Sequence, residues 1–226
     1  MSNYNLVVFD MAGTTVLDRG NVADAFISAC KSFDVNVETA EVKKVMGWRK
    51  VDAIKMLLNK YRPDLANEET IEQIHSRFIQ TMVEYYQQSK DLQPLPFAEK
   101  LFEQLQANGI KVALNTGFTR EIADTILQRL NWQPGGKIDA IVASDEVPEG
   151  RPASFMIEKI MRQFSISNPA SVAKVGDTEV DVLEGRNAHC GLVIGVTTGA
   201  YTREQLESYK PDHIIDNLSE LSSLIS

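Results

Sequence analysis

The chain has 226 residues, 43% of them hydrophobic and 24% charged, and a formal net charge of −8 at pH 7. This is the composition of a globular protein that buries a core, and no apolar run approaches the length that crosses a bilayer. The acidic balance argues against nucleic-acid binding driven by phosphate neutralisation, and two cysteines exclude a disulfide framework. The first apolar run follows no basic region, so we expect a cytoplasmic protein.

Five short apolar runs predict buried strands of a parallel sheet, because strands covered on both faces are apolar along their whole length. They are Leu6–Phe9, Ile110–Leu114, Ile138–Val142, Val172–Val175 and Leu192–Val196. Helical patterns lie between them, for example over Arg120–Leu130 and Ser154–Phe164. This alternation is typical of an α/β doubly wound, Rossmann-like domain with a mainly parallel sheet.

Residues 18–92 depart from the alternation, because they show helical periodicity and no convincing strand. Helices are predicted from an apolar stripe that begins at Val22, and over Glu41–Val45, Val51–Tyr61 and Thr70–Gln88. Pro94 and Pro96 then mark the return to the α/β pattern, since proline disfavours helix before it. We therefore predict an α/β core domain of residues 1–17 and 93–226, with an all-helical domain of residues 18–92 inserted after the first strand.

Polar motifs follow three of the predicted strands, at the carboxyl ends where open α/β sheets bind ligands. They are Asp10-Met11-Ala12-Gly13-Thr14-Thr15, Asn115-Thr116-Gly117 and Gly176-Asp177-Thr178, the last followed by Asp181. Arg151 lies between Gly150 and Pro152 in a loop before a predicted helix. Taken singly, each has an ordinary explanation, since aspartate and threonine often only form turns and arginine often lies on the surface.

Together, these motifs resemble those of the haloacid dehalogenase superfamily of hydrolases. The resemblance covers the whole chain, with residues 18–92 in the place of that family's helical cap. It implies phosphoryl transfer, which depends on in-line positioning and on neutralising oxygen charge. Asp10 is then the nucleophile that forms an aspartyl-phosphate. A Mg²⁺ ion is implied as well, held by Asp10, the backbone carbonyl of Ala12 and Asp177, with Asp181 orienting Asp177 or water ligands from behind.

The same resemblance assigns the remaining residues of the motifs. Thr116 binds the transferring phosphoryl oxygens, with Asn115 and Gly117 beside it, and Arg151 balances the charge of nucleophile and phosphate. The implied substrate is a small phosphorylated or phosphonate metabolite. The expected protein is a monomer or homodimer without nucleic-acid or membrane partners.

Two departures from the common pattern resemble the phosphonoacetaldehyde hydrolase branch of the superfamily. Most members have an aspartate as general acid two residues after the nucleophile and a lysine in the third motif, whereas this chain has Ala12 and Arg151. That branch opens with DxAGTT and uses a cap lysine in an MGxxK segment to form a Schiff base with an aldehyde. Here Met46-Gly47-Trp48-Arg49-Lys50 matches the segment. The resemblance therefore gives Lys50 a catalytic role and Met46 a place in substrate binding.

The match to that branch is incomplete. Its histidine three residues beyond the lysine is Ala53 here, and its aromatic hydroxyl after the second motif is Phe118. Lys50 is equally explained as part of a solvated helix start. Phosphatase-type hydrolysis is therefore the first hypothesis, and P–C bond cleavage through Lys50 is the alternative. A non-catalytic binding protein is a third hypothesis, and a dehalogenase is disfavoured because it has no use for the pair Asp177 and Asp181.

Overall fold

The computed structural model describes residues 3–225 and contains a six-stranded parallel sheet. The strands are β1 Leu6–Phe9, β2 Lys111–Thr116, β3 Ala140–Ala143, β4 Val172–Gly176, β5 Leu192–Val196 and β6 His213–Ile215. Their order in the sheet is β3-β2-β1-β4-β5-β6, and every neighbouring pair is parallel. The predicted α/β parallel fold is confirmed, and the short edge strand β6 lies beyond the five apolar runs.

Helices connect the strands. Between β1 and β2 lie α1 Asn21–Lys31, α2 Thr39–Lys43, α3 Lys50–Tyr61 and α4 Glu68–Gln88. The later helices are α5 Ala98–Ala107, α6 Arg120–Leu130, α7 Phe155–Gln163, α8 Glu179–Asn187, α9 Arg203–Glu207 and α10 Leu221–Ile225. Residues 18–92, all of which the structure describes, contain no strand, as the periodicity indicates. Within residues 3–225, none of the helices is long and apolar enough to cross a membrane.

Two apolar layers cover the sheet, because alternate side chains of each strand point to opposite faces. On β1, Val7 and Phe9 pack in one layer with Phe102 of α5, whereas Leu6 and Val8 pack in the other with Ile157 of α7. All four β1 side chains are fully buried. The continuous apolar runs are therefore explained by burial on both faces.

The helical segment 18–92 packs on the first of these layers. Phe26 of α1 and Phe78 of α4 meet edge to face with their ring centroids 5.5 Å apart, and Phe78 lies 6.4 Å from the ring of Phe118, which follows β2. A hydrogen bond connects the last turn of α4 to α6: Arg129 Nη1 donates to the carbonyl of Tyr86 at 2.8 Å. This contact satisfies a helix-terminal carbonyl that has no partner within its own helix.

The two connections to the helical segment run side by side. The Leu17 N–H donates to the carbonyl of Gln93 at 3.1 Å, and the Leu95 N–H donates to the carbonyl of Thr15 at 2.8 Å. The segment therefore leaves and re-enters the α/β part at one place. The exact domain division at residues 17 and 93 stays a prediction.

Candidate active site

The strand order reverses between β1 and β4, which creates a crevice at their carboxyl ends. Asp10 follows β1 there, and the register places Phe9 opposite Leu114 of β2 and Val175 of β4. The residues after β1, β2 and β4 are therefore level with one another. This topology brings Asp10, Thr116 and Asp177 to one edge of the sheet.

Asp10 is buried, with 5% of its surface exposed, and its carboxylate faces Arg151. The Arg151 Nη1 donates to Asp10 Oδ1 at 2.6 Å. Burial raises the pKa of Asp10, and the guanidinium acts against this by favouring the ionised form. The ion pair thus favours the carboxylate that a nucleophile needs.

Arg151 belongs to a buried charge cluster, which we define as Arg151, Lys174, Asp181, Glu184 and Asn115. The Arg151 Nε lies 3.1 Å from Glu184 Oε2, and its Nη1 lies 3.0 Å from Asp181 Oδ1. The Arg151 Nη2 donates to Asn115 Oδ1 at 2.6 Å. Each of the five side chains is at most 2% exposed. The guanidinium therefore contacts oxygens of Asp10, Asp181, Glu184 and Asn115, and these contacts fix its orientation.

Lys174, on β4, closes the charge cluster from the other side. Its Nζ lies 2.7 Å from Asn115 Oδ1, 2.9 Å from Asp181 Oδ1 and 3.2 Å from Glu184 Oε2. Burial raises the pKa of Asp181, but the cations Arg151 and Lys174 outweigh this and hold it below its ordinary value. The cluster therefore balances buried carboxylates with buried cations.

The sequence motifs did not predict the contacts of two members of the charge cluster, Asn115 and Glu184. The Asn115 amide, predicted to bind substrate, donates to both Glu184 oxygens at 2.8 and 2.9 Å and lies in the cluster beneath the site. Sequence reasoning did not select Glu184. Glu184 lies three residues after Asp181 on α8, and this spacing puts both carboxylates on one helix face. That spacing is the feature of the sequence that could have indicated Glu184.

Asp177 follows β4 and is buried beside Thr14 and Ala200. Its Oδ1 accepts from Thr14 Oγ1 at 3.1 Å, and its Oδ2 accepts from the Ala200 N–H at 2.6 Å. Burial raises the pKa of Asp177 well above its ordinary value, and the negative charges of Asp10 and Asp181 raise it further. A side-chain carbon at Gly13, whose φ is +90°, would lie 2.7 Å from Asp177 Oδ2, so glycine is needed for this approach.

The donor set around Asp10 and Asp177 fits Mg²⁺. Two buried carboxylates with incompletely neutralised charge face one cavity, and Ala12 lines it between them. A hard divalent ion prefers such oxygens and removes the repulsion between them. Residues 3–225 hold no cluster of three or more His, Cys, Asp or Glu side chains that suits a metal. The Ala12 carbonyl and water would supply further oxygen ligands.

A cavity of about 30 Å³ brings the sequence-predicted residues together with parts of the helical segment. Its walls include Asp10, Ala12, Asp18, Met46, Gly47, Lys50, Thr116, Gly117, Phe118 and Asp177. Arg151, Asp181 and Asn115 lie behind these walls in the charge cluster. Asp18 was not selected from sequence, where it is indistinguishable from a helix cap, and it does accept from the Gly20 N–H at 3.0 Å before α1.

Lys50 is buried at the start of α3, with 3% of its surface exposed, so it is not part of a solvated helix start. Its Nζ donates to the carbonyl of Trp48 at 3.0 Å and lies 5.7 Å from the centre of the Phe118 ring. Burial lowers the pKa of Lys50 to about 8; Arg151 also lowers it, whereas Asp10, Asp18 and Asp177 act in the opposite direction. The ammonium therefore gives up its proton far more readily than an exposed lysine.

The segment that carries Lys50 is held against the sheet by close backbone contact. A side-chain carbon at Gly117 would lie 2.6 Å from the carbonyl oxygen of Trp48 and 2.7 Å from that of Gly47. Gly47 itself has a φ of +81° and approaches Thr178. Glycine at both positions lets the helical segment reach the loop after β2, which brings Met46 and Lys50 into the cavity.

Comparison with known proteins identifies the family of the chain. The family model described as haloacid dehalogenase-like hydrolase matches residues 7–196, which contain all four motifs. The chain belongs to the haloacid dehalogenase-like hydrolase family. It is therefore an enzyme, and the hypothesis of a non-catalytic binding protein is not supported.

Individual relatives within and around the family agree with this assignment. A phosphonoacetaldehyde hydrolase of Bacillus mycoides is 31% identical over 222 residues, which cover 91% of this chain and 81% of that protein. One of Bacteroides fragilis is 29% identical over 238 residues, covering 98% and 88%. The crystal structure of a hydrolase from Pseudomonas syringae superposes with a TM-score of 0.87 at 19% identity, covering 98% of this chain and all of that one. The last likeness supports the fold alone.

In this haloacid dehalogenase-like hydrolase, the residue two positions after Asp10 is Ala12. Ala12 lines the cavity with a methyl group at the position that resembles the general acid of most members. Lys50 lines the same cavity. Its pKa is lowered toward neutral pH, whereas the pKa values of Lys60 and Lys137 are raised. The cavity therefore contains the Lys50 ammonium group, while Ala12 offers no carboxylate there.

Proposed function

We propose that the protein is a Mg²⁺-dependent phosphatase-type hydrolase that transfers a phosphoryl group from a small phosphate ester to Asp10 and then to water. The observation that carries this proposal is the single cavity lined by Asp10, Asp177, Thr116 and Lys50. Membership of a hydrolase family supports it. We further propose that the helical segment 18–92 is the cap that covers this cavity.

Asp10, Arg151 and Thr116 have different roles in the first step, the transfer of the phosphoryl group to Asp10. Asp10 attacks phosphorus, and Arg151 holds its carboxylate in place through the 2.6 Å hydrogen bond. Thr116 Oγ1 accepts from the Phe118 N–H at 3.2 Å, and its own proton remains available to an oxygen of the transferring group. A bound Mg²⁺ ion would supply positive charge to the phosphoryl oxygens.

We propose that Lys50 gives its proton to the leaving oxygen, in the role that Ala12 leaves vacant. Its Nζ makes one hydrogen bond within residues 3–225, to the Trp48 carbonyl, and an ammonium has three donors. The pKa of about 8 lies near neutral pH, where a general acid is most effective. The proton moves from Nζ to the ester oxygen as the P–O bond breaks, and the alcohol leaves.

Lys50→Arg is expected to lower kcat/KM for an alkyl phosphate such as propyl phosphate by roughly 10²–10⁴, because arginine keeps the charge but does not release a proton. Hydrolysis of p-nitrophenyl phosphate should change little, since that phenolate leaves without protonation. Steady-state kinetics of both esters measures the difference. With the native enzyme, alkyl ester turnover should also fall as pH rises through about 8, where Lys50 becomes neutral.

Lys55→Arg is the matched control, because Lys55 is an exposed lysine of the same helix. It should leave both esters unaffected. Equal losses for the alkyl and aryl esters in Lys50→Arg would rule out proton donation and would leave Lys50 as a binding group.

Removing Mg²⁺ is expected to abolish hydrolysis of both esters, because the charge between Asp10 and Asp177 is then uncompensated. Dialysis against a chelator, followed by back-titration with Mg²⁺, measures this. Asp177→Ala should retain a melting transition but lose most of the response to added Mg²⁺. Full activity of the chelator-treated enzyme would contradict the metal assignment.

A second candidate, cleavage of a P–C bond in a phosphonate aldehyde, is favoured by the same lysine. The lowered pKa supplies a fraction of neutral amine at neutral pH, which condenses with an aldehyde carbonyl and releases water. Electrons of the P–C bond then pass to the iminium while phosphorus transfers to Asp10. The Bacillus mycoides and Bacteroides fragilis relatives carry this activity in their names.

Borohydride separates the two candidates. With phosphonoacetaldehyde present, P–C cleavage predicts a reduced adduct on Lys50 that peptide mass spectrometry detects. No adduct, together with hydrolysis of propyl phosphate, supports the phosphatase reaction. An adduct without ester hydrolysis supports the P–C reaction.

A further inference from the structure

A second cavity of about 240 Å³ adjoins the one at Asp10. The two share Asp18, Met46 and Ala200 in their walls and therefore lie next to each other. The smaller cavity has room for only about two water molecules at roughly 10–15 Å³ each. The larger cavity is adjacent space with room for a group that the smaller one cannot hold.

The larger cavity carries an excess of positive charge. Arg19 and Lys43 lie in its wall, and neither side chain has a hydrogen bond or ion pair within the described part of the chain. The single acid in the wall, Asp18, accepts from the Gly20 and Val22 N–H groups at 3.0 and 3.4 Å. Unpaired cations stand out here because the whole chain has a net charge of −8.

The remaining walls make this cavity suitable for a short chain. Gly20, Ala23, Gly199 and Ala200 present little beyond backbone and methyl groups, and Met46 is a flexible apolar side chain. Arg19 and Lys43 are exposed at the rim, where long side chains reorient at little cost to meet a charge. The arrangement is a largely apolar cavity beside the one at Asp10, with two free cations in its wall.

We propose that this cavity binds an anionic group at the far end of the substrate, so that the natural substrate is a small phosphorylated compound bearing a carboxylate or a second phosphate. This proposal rests on the proposed function for the position of the first phosphate. An uncharged tail leaves Arg19 and Lys43 without partners. The cations thus select among esters that the catalytic groups treat alike.

Two non-hydrolysable phosphonates of equal length test the proposal without depending on turnover. Isothermal titration in Mg²⁺ compares 3-phosphonopropionate with propylphosphonate. The carboxylate compound is expected to bind about fivefold to twentyfold more tightly, as two partly exposed ion pairs allow. Added salt should reduce this preference, because exposed charges are screened.

Arg19→Gln and Lys43→Gln should each lower the affinity for 3-phosphonopropionate and leave that for propylphosphonate unchanged. Lys31→Gln is the matched control, since it removes an exposed cation from the opposite end of α1. It should change neither affinity, which excludes a general effect of net charge.

Equal affinities for the two phosphonates, or no binding of either, overturn the proposal. Variants that weaken both compounds alike also overturn it, because the cations would then act on the phosphonate itself. If only the proposed function is wrong, the result differs. The protein then still binds 3-phosphonopropionate more tightly than propylphosphonate but hydrolyses no phosphate ester.

Discussion

Asp10→Asn is expected to lower phosphoryl hydrolysis by roughly a thousandfold or more, because the amide keeps the shape of the side chain but does not attack phosphorus. Asparagine still accepts a hydrogen bond from Arg151, which also pairs with Asp181 and Glu184. The variant should therefore fold. Circular dichroism and phosphate release measured on the same preparation check both statements.

Asp24→Asn is the control, because Asp24 is exposed on α1. This substitution removes the same charge at a position away from the site. It should retain full activity. If Asp10→Asn keeps more than a few per cent of wild-type turnover, another residue is the nucleophile.

Arg151→Met is expected to destabilise the fold by about 3–5 kcal/mol, because it leaves buried carboxylates without their cation. Asp10, Asp181 and Glu184 each lie within 3.1 Å of the guanidinium, and Lys174 alone does not balance them. The free energy of unfolding from urea titration measures the loss. The cost is large because all the charges are removed from water.

Arg120→Met provides the comparison, since the Arg120 pair with Asp124 is largely exposed. Its expected cost is below about 1 kcal/mol. A loss of similar size in both variants would mean that the charge cluster contributes no more than a surface ion pair.

Much of the fold was predictable because burial on both faces leaves a plain pattern in the sequence. Leu6–Phe9 and Leu192–Val196 are strands with the predicted ends, and α6 covers Arg120–Leu130 as its periodicity indicates. The parallel arrangement then places the motifs after β1, β2 and β4 at one edge. Short β6 was harder, because its first residue is exposed and its burial is partial.

The candidate site was less predictable where contacts join distant residues. Glu184 lies 33 residues from Arg151 and 69 from Asn115, so its partners are invisible in the sequence around it. The burial of Lys50 follows from how α3 lies against the loop after β2, which helical periodicity does not determine. Asp18 has the local signature of a helix cap, and only the packing shows that it also faces the cavity.

The side-by-side connections at Leu17 and Gln93 bear on how such a chain changes under selection. Because the insertion starts and ends at one place, a change in its length or sequence need not alter the strand order that aligns Asp10, Thr116 and Asp177. The proposed nucleophile and metal ligands thus lie outside the insertion, whereas the residues proposed to contact the rest of the substrate lie within it. Among the residues with a proposed catalytic role, Lys50 is supplied by the insertion, so an exchange of insertions would replace the proton donor together with the specificity.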